Sequence, residues 1–225
     1  MSHDFPALAR RLERAQALQN ERFHRADGGR SLPVGGGFAH LHGEGHPLNQ
    51  ALGLIDPMTE ADLTALEAFL GAPTVLELSP AADPSLWPLL ASRGYRLHQF
   101  QQLWVRPLTT AEGVLPFQEV RIAAASEAQV FNRVVCAGFM ERDDWRDLDP
   151  PFKISLDVPE AWGFLAFVDG EPAGGGMLGI VEGVALLSGD GVIPRFRGRG
   201  LQRALIRSRL AVAAARRDRR AALVG

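Results

Sequence analysis

The segment Val192-Ile193-Pro194-Arg195-Phe196-Arg197-Gly198-Arg199-Gly200-Leu201 constrains the fold more than any other part of this 225-residue chain. Upstream of it, Val184 to Ile193 reads as a strand. Downstream, Leu201, Leu205, Val212 and Ala215 fall on one stripe of a helix spanning Gly200 to Arg217. The junction is therefore a strand-to-helix loop. Glycines at 198 and 200 let its backbone turn tightly and bring N–H groups close to a ligand. The first helical turn has unpaired N–H donors and the positive end of the helix dipole, which together suit phosphate. Arg195, Arg197 and Arg199 would add long-range attraction and charge-assisted bonds. The loop has the chemistry of a diphosphate cradle. It is not a nucleotide P-loop, because no Gly-Lys-Ser/Thr follows, and it lacks the third spaced glycine of a dinucleotide fingerprint.

Charge distribution points to the same place. The net charge is only -2, from 24 basic and 26 acidic side chains, which argues against a polyanion-binding chain as a whole. From Arg195 to Gly225, however, ten arginines face a single acid, Asp218, giving +9, whereas residues 1 to 194 carry -11. A nucleic-acid module could draw on Arg203, Arg207, Arg209, Arg216, Arg217, Arg219 and Arg220. These arginines spread around the helix and few aromatics interleave with them, so they read as a solvated face and no nucleic-acid partner is expected.

Other function classes are excluded by composition and spacing. Cys136 is the only cysteine, so neither an internal disulfide nor a multi-cysteine zinc site can form; it reads as a buried small apolar residue. His40, His42, Glu44 and His46 alternate as a strand face would, but Gly43, Gly45 and Pro47 favour a loop, and no metal is expected. Ser188-Gly189 lacks the nucleophile elbow of a serine hydrolase. The N-terminus is not a signal peptide, and no stretch of about 18 apolar residues occurs. A cytoplasmic protein with no membrane partner is expected.

Along the chain, the first 25 or so residues read as an amphipathic helix. Val34 to Leu41 reads as a strand, and Thr59 caps a helix with Asp62 three residues on. Thr74 to Leu78 is a strand, Asp83-Pro84 opens a helix ending at Gly94, and Tyr95 to Val105 alternates as a strand. Residues 107 to 118 look like a linker. A second unit follows: a strand at Val120 to Ala124, then a helix capped by Ser126. An acidic, aromatic loop runs from Glu141 to Glu160. Next comes a hairpin, Trp162 to Val168 and Pro172 to Ile180, turning at Asp169-Gly170. Gly174-Gly175-Gly176 and Gly35-Gly36-Gly37 read as bulges or sites of close approach. The strand and helix around the Arg/Gly loop complete the unit, and Ala221 to Val224 begins another strand.

The loop resembles the acyl-CoA loop of the GCN5-related N-acetyltransferase (GNAT) family, whose pattern Gln/Arg-x-x-Gly-x-Gly/Ala is met by Arg195, Gly198 and Gly200. Val192-x-Pro194 before it and Leu201-x-x-x-Leu205 after it also suit that family. The resemblance covers residues 119 to 225 well. The first half matches less closely, its Thr74 to Val105 stretch resembling the tail of such a unit. The fold implied is α/β (α+β), a mixed, mostly antiparallel sheet flanked by helices. Two related halves are expected, a degenerate N-terminal domain over 1 to 110 and an acyl-CoA-binding domain over 119 to 225.

What the resemblance implies chemically is transfer of an acyl group, most readily acetyl from acetyl-CoA, to a primary amine by direct attack. Backbone N–H groups of Arg197 to Leu201 would hold the diphosphate, and the strand edge at Val192 and Ile193 would pair with the pantetheine. Asp190 is the only ionisable residue between Glu182 and Arg195 and is the candidate base, with a turn or edge aspartate as the alternative. The acceptor would be a small molecule or a peptide. Acids from Asp143 to Glu160 would attract a cationic acceptor or form a solvated face; Trp145, Phe152 and Trp162 would line its pocket or pack in the core.

The family continues beyond the third helix with further strands that often supply a tyrosine acid. Here the sequence reaches Gly225 inside the would-be fifth strand, and its only tyrosine is Tyr95. Three expectations follow: the sequence is cut short, another chain (a homodimer included) or the other half completes the sheet, or the protein binds CoA or a partner without turnover.

Overall fold

The structure, a computed structural model, describes residues 4–46, 48–109 and 119–216. It falls into two units, Met1–Gln102 and Leu103–Gly225.

In the first unit Asp4 starts helix α1 (Phe5–Ala26) by accepting the Ala7 N–H on its carboxylate at 3.3 Å. Three antiparallel strands follow in the order β1 (Arg30–Val34), β2 (Gly37–Leu41) and β3 (Gln50–Leu52). Val34 pairs with Gly37, so Gly35 and Gly36, at φ 56 and 83, are the two central residues of a tight hairpin turn. Positive φ at both positions matches the twist of the strands and explains the glycine pair. The predicted strand over 34–41 is thus a turn plus β2.

From β3 the chain enters helix α2 (Glu60–Leu70), which sends Leu63, Leu66 and Leu70 into a core with Leu54, Leu86 and Leu90. The predicted strand at Thr74 to Leu78 reduces to a parallel bridge, Ala51 donating to Val75 O at 2.9 Å and accepting from Glu77 N at 2.8 Å. Helix α3 (Leu86–Ser92) follows. Tyr95 to Val105 joins no strand; Leu97, Phe100 and Trp104 are exposed. Alternation alone does not make a strand when no neighbouring edge accepts its backbone hydrogen bonds.

Histidines gather at the end of α1. His24 Nε2 lies 2.8 Å from the Arg30 carbonyl, which can only accept, so in the neutral ring His24 Nδ1 is the acceptor facing His42 Nε2 at 2.8 Å. The His42 and His46 rings stack at 4.5 Å. His40 stands in β2, within the predicted strand, whereas His42 and His46 lie beyond its end. Among the described residues, no three His, Cys, Asp or Glu side chains are grouped to hold a metal ion.

The second unit is a four-stranded antiparallel sheet in sequence order, β4 (Val120–Ile122), β5 (Ala161–Val168), β6 (Glu171–Val181) and β7 (Val184–Val192). Asp169-Gly170 makes the predicted turn, with φ 50 and 78. Between β4 and β5 lies helix α4 (Ala128–Phe139); after β7 comes α5 (Leu201–Ala215). Ser126 makes no cap for α4. Instead Glu127 accepts the Ala124 N–H and both Nη groups of Arg121, which hold its carboxyl down at about 2. Cys136 is buried in α4. Gly138 of α4 meets β7 backbone to backbone, since a Cβ there would lie 2.7 Å from Val192 N. A mixed fold of antiparallel sheets flanked by helices is what the sequence predicts. Residues 110–118 of the predicted linker, and the predicted strand at Ala221 to Val224, lie outside the described residues. No helix among the described residues is long and apolar enough to cross a membrane.

Candidate functional site

β7 ends at Val192, and a single 3-10 turn, Pro194–Phe196, carries the chain to α5. Gly198 and Gly200 adopt φ 76 and 80, and a Cβ built on either would meet nothing within 4 Å. Their constraint is backbone handedness beside open space, not crowding. The ladder of α5 begins with Ala204 donating to Gly200 O at 3.0 Å, and Gly200 offers no side-chain cap. The N–H groups of Leu201, Gln202 and Arg203 therefore open onto a cleft of about 1080 Å3. Asp190, Gly191, Val192, Gly138, Phe139 and Ile206 are among the residues lining it. That volume stands at the top of the usual range for small-molecule sites.

The loop arginines divide. Arg195 spends its backbone N–H on Asp143 Oδ1 at 2.7 Å, donates to the Asp143 carbonyl at 2.9 Å, and pairs with Glu171. Arg197 grips Glu141 with both Nη groups, at 2.6 and 3.0 Å, and reaches the carbonyls of Val192 and Gly138 at 3.1 and 2.9 Å. Its guanidinium holds the Glu141 carboxyl below the usual range. These two arginines fasten the loop to α4, the loop after it and β6; the acids at 141 and 143 are their anchors. Arg199, its guanidinium 5.8 Å from the Phe196 ring, shows no acidic partner among the described residues and stays available to an anion.

Val192 faces the cleft, but its carbonyl is already taken by Arg197. Ile193 is fully buried and gives its N–H to Ala173 O at 3.0 Å, so it supports the loop from behind. Of the aromatic candidates, Trp145 is buried and directs its ring N–H at Glu171, and Trp162 lies under Arg216 at 4.1 Å. Neither they nor Phe152 line the cleft.

Asp190 has a partner that the pattern of the sequence does not reveal. Arg209 of α5 is completely buried, and its guanidinium pairs with Asp190 Oδ1. The same guanidinium donates to the carbonyls of Leu205 at 3.1 Å and Met177 at 2.9 Å. Burial pushes the Asp190 carboxyl up, while the Arg209 charge pulls it back down; the net direction is upward. Arg209 is thus no part of a solvated basic face. The one signal for it is position: Leu205 and Arg209 are four apart, so the arginine continues the apolar stripe of α5. Arg217, Arg219 and Arg220 lie outside the described residues.

No protein-family profile and no curated protein matches the sequence. Among solved structures, the chain is similar to a GCN5-related N-acetyltransferase from Kribbella flavida, with a TM-score of 0.58 and 18% identity over 96% of this chain and 84% of that one. Looser overlaps include a functionally unknown conserved protein from Staphylococcus epidermidis, at TM-score 0.45 and 12% identity over 80% of this chain and 74% of that one. A protein assigned to the GNAT family from Novosphingobium aromaticivorans overlaps at 0.36 and 21% identity, over 48% of this chain and 44% of that one. The first of these similarities shows that the chain has the GCN5-related N-acetyltransferase fold.

Proposed function

We propose that the chain is an acyl-CoA-dependent N-acyltransferase, with acetyl-CoA as donor and a primary amine, small-molecule or peptide, as acceptor. The observation that carries this reading is the α5 N-terminus, without a side-chain cap, opening onto the cleft beside Gly198 and Gly200. The residues fit the donor. First-turn N–H groups face open space where a diphosphate would lie, Arg199 has charge to spare, and Asp190 to Val192 edge the cleft where the pantetheine arm would run. When bound, the donor supplies an activated acyl thioester. Asp190 then takes the proton of the arriving amine; the N–C bond forms as the C–S bond breaks, and the leaving thiolate takes a proton from solvent.

We further infer that residues 1 to 110 are a degenerate copy of the domain over 119 to 225. Supporting this, each unit runs an antiparallel strand through a short loop into a helix, β3 to α2 and β7 to α5. Titrating acetyl-CoA by calorimetry tests the main reading: saturable heat is expected, and none at millimolar ligand would overturn it. Binding without turnover over a panel of amines would instead make this a CoA-binding or partner-binding protein.

A further inference from the structure

At the centre of β7 the sheet is irregular. Gly175 of β6 pairs with Gly191, and Met177 pairs with Ser188, so Gly189 and Asp190 together stand opposite Gly176 alone. This is a β-bulge, with Gly189 at φ 63 supplying the left-handed residue. Into it reaches Arg209, fully buried, its Nη1 on Met177 O and its Nη2 on Asp190 Oδ1. Gly176 makes the room: a Cβ there would lie 2.4 Å from Asp190 Oδ1 and 2.9 Å from Arg209 Nη1. Three residues from three elements are therefore fitted to one another.

Packing does not explain this choice. An apolar side chain of similar volume would fill the space with no desolvation cost, and such replacements of buried ion pairs are often neutral or stabilising. What the charge adds is orientation. Asp190 is held by Oδ1 only; its Oδ2 has no protein partner among the described residues, and the side chain, 23% exposed, lines the cleft.

We propose that Arg209 is a positioning residue, holding Asp190 by one carboxylate oxygen at the bulge so that the other oxygen faces the cleft to receive the proton of the acceptor amine. This rests on the acyltransferase reading and on Asp190 as its base. Other ionisable groups bordering the cleft are Glu141, Arg197, Arg203, Arg207 and Arg106; the ion pair formed by Asp190 is with Arg209.

The test compares wild type, Arg209→Met, Arg209→Lys, Asp190→Asn and the Arg209→Met/Asp190→Asn double variant. Arg209→Met is expected to lower kcat about 100-fold, the scale of a misplaced base, with KM for acetyl-CoA within about threefold. The acid limb of kcat/KM should move up by about one pH unit or more, because the carboxylate loses its opposing charge. Lysine should restore part of the rate, and the double variant should be no slower than Asp190→Asn alone. An unmoved acid limb, or additive losses in the double variant, overturns the proposal. Carbon-13 NMR titration of the Asp190 carboxyl in wild type and Arg209→Met needs no turnover, and the carboxyl should titrate higher in the variant. A wild type that binds no acetyl-CoA defeats the acyltransferase reading, and with it the proton-accepting role. A carboxyl that titrates identically in both proteins defeats the Arg209 assignment alone. Should Arg209→Met fail to fold, Arg209→Gln, which keeps hydrogen-bond donors but removes the charge, carries the same comparisons.

Discussion

The two units carry the same local device with opposite terminations. In the first, β3 leads to α2, whose N-terminus is closed on itself: Thr59 Oγ1 accepts from Asp62 N at 3.2 Å and Asp62 Oδ2 accepts from Thr59 N at 2.8 Å. Glu60 and Asp62 add negative charge to that turn. In the second, β7 leads to α5, capped only by a left-handed glycine and preceded by arginines. A closed, acidic helix start stabilises its own helix and repels phosphate; an open, basic one leaves donors for a ligand. The difference teaches that strand–loop–helix order does not by itself make an anion site. The cap decides.

The strongest way to break this contrast is to fill the open end. Gly198→Glu puts a carboxylate into the space at the loop and forces a side chain into φ 76. Acetyl-CoA affinity by calorimetry should fall by about 100-fold or more, which is roughly 2.7 kcal/mol. Because a Cβ at 198 meets nothing within 4 Å, the fold should lose only the roughly 1–2 kcal/mol of left-handed backbone strain. Unchanged affinity would remove the loop from the site. Gly200→Asp is the milder version, converting α5 toward the acidic start of α2. A loss of roughly tenfold in affinity is expected from one misplaced charge at the dipole's positive end.

The units should also part company in acid. All six histidines lie in the first unit. Burial, with His24 close by, holds His40 and His42 down at about 4, against 6.5 when free. Above pH 6.5 both are neutral whether the chain is folded or not. As pH falls, the unfolded chain takes up their protons first, so stability of the first unit should drop between about 6.5 and 4 and level off below. Amide signals of β2 should broaden or vanish over that range while those of β6 persist. Simultaneous loss in both units would show that they unfold as one.

What was legible in the sequence was local. The strand, the glycines at 198 and 200 and the apolar stripe of α5 lie within a single stretch, and their meaning depends only on near neighbours. The Asp169-Gly170 turn fixed its hairpin in the same way. What escaped was long-range pairing. Arg195 and Arg197 read as phosphate ligands because their acids, Asp143, Glu171 and Glu141, lie 24 to 56 residues away. Arg209 read as one more surface arginine, since nothing in helical spacing announces a counterion on another strand. Tyr95 to Val105 failed for the opposite reason, its alternation being local and its missing partner not. The site's frame was visible from periodicity, whereas the direction of each charge required the fold.

The smallest effect falls on the closed end. Thr59→Ala deletes the hydroxyl that receives the Asp62 N–H and leaves the first turn of α2 with one donor fewer satisfied. A loss of about 1 kcal/mol is the usual consequence of removing such a cap. Acetyl-CoA affinity should not change, because the acidic residues Glu60 and Asp62 still stand at that terminus and no arginine follows them within α2. Denaturant unfolding would register the stability loss, and calorimetry the constancy of binding. Weaker binding in Thr59→Ala would mean that the α2 terminus contributes to donor recognition, and the contrast between a closed helix start and an open one would fall. Unchanged stability would mean that the Asp62 carboxylate on Thr59 N–H suffices alone, which narrows the closure to a single hydrogen bond and makes Asp62→Asn the sharper variant.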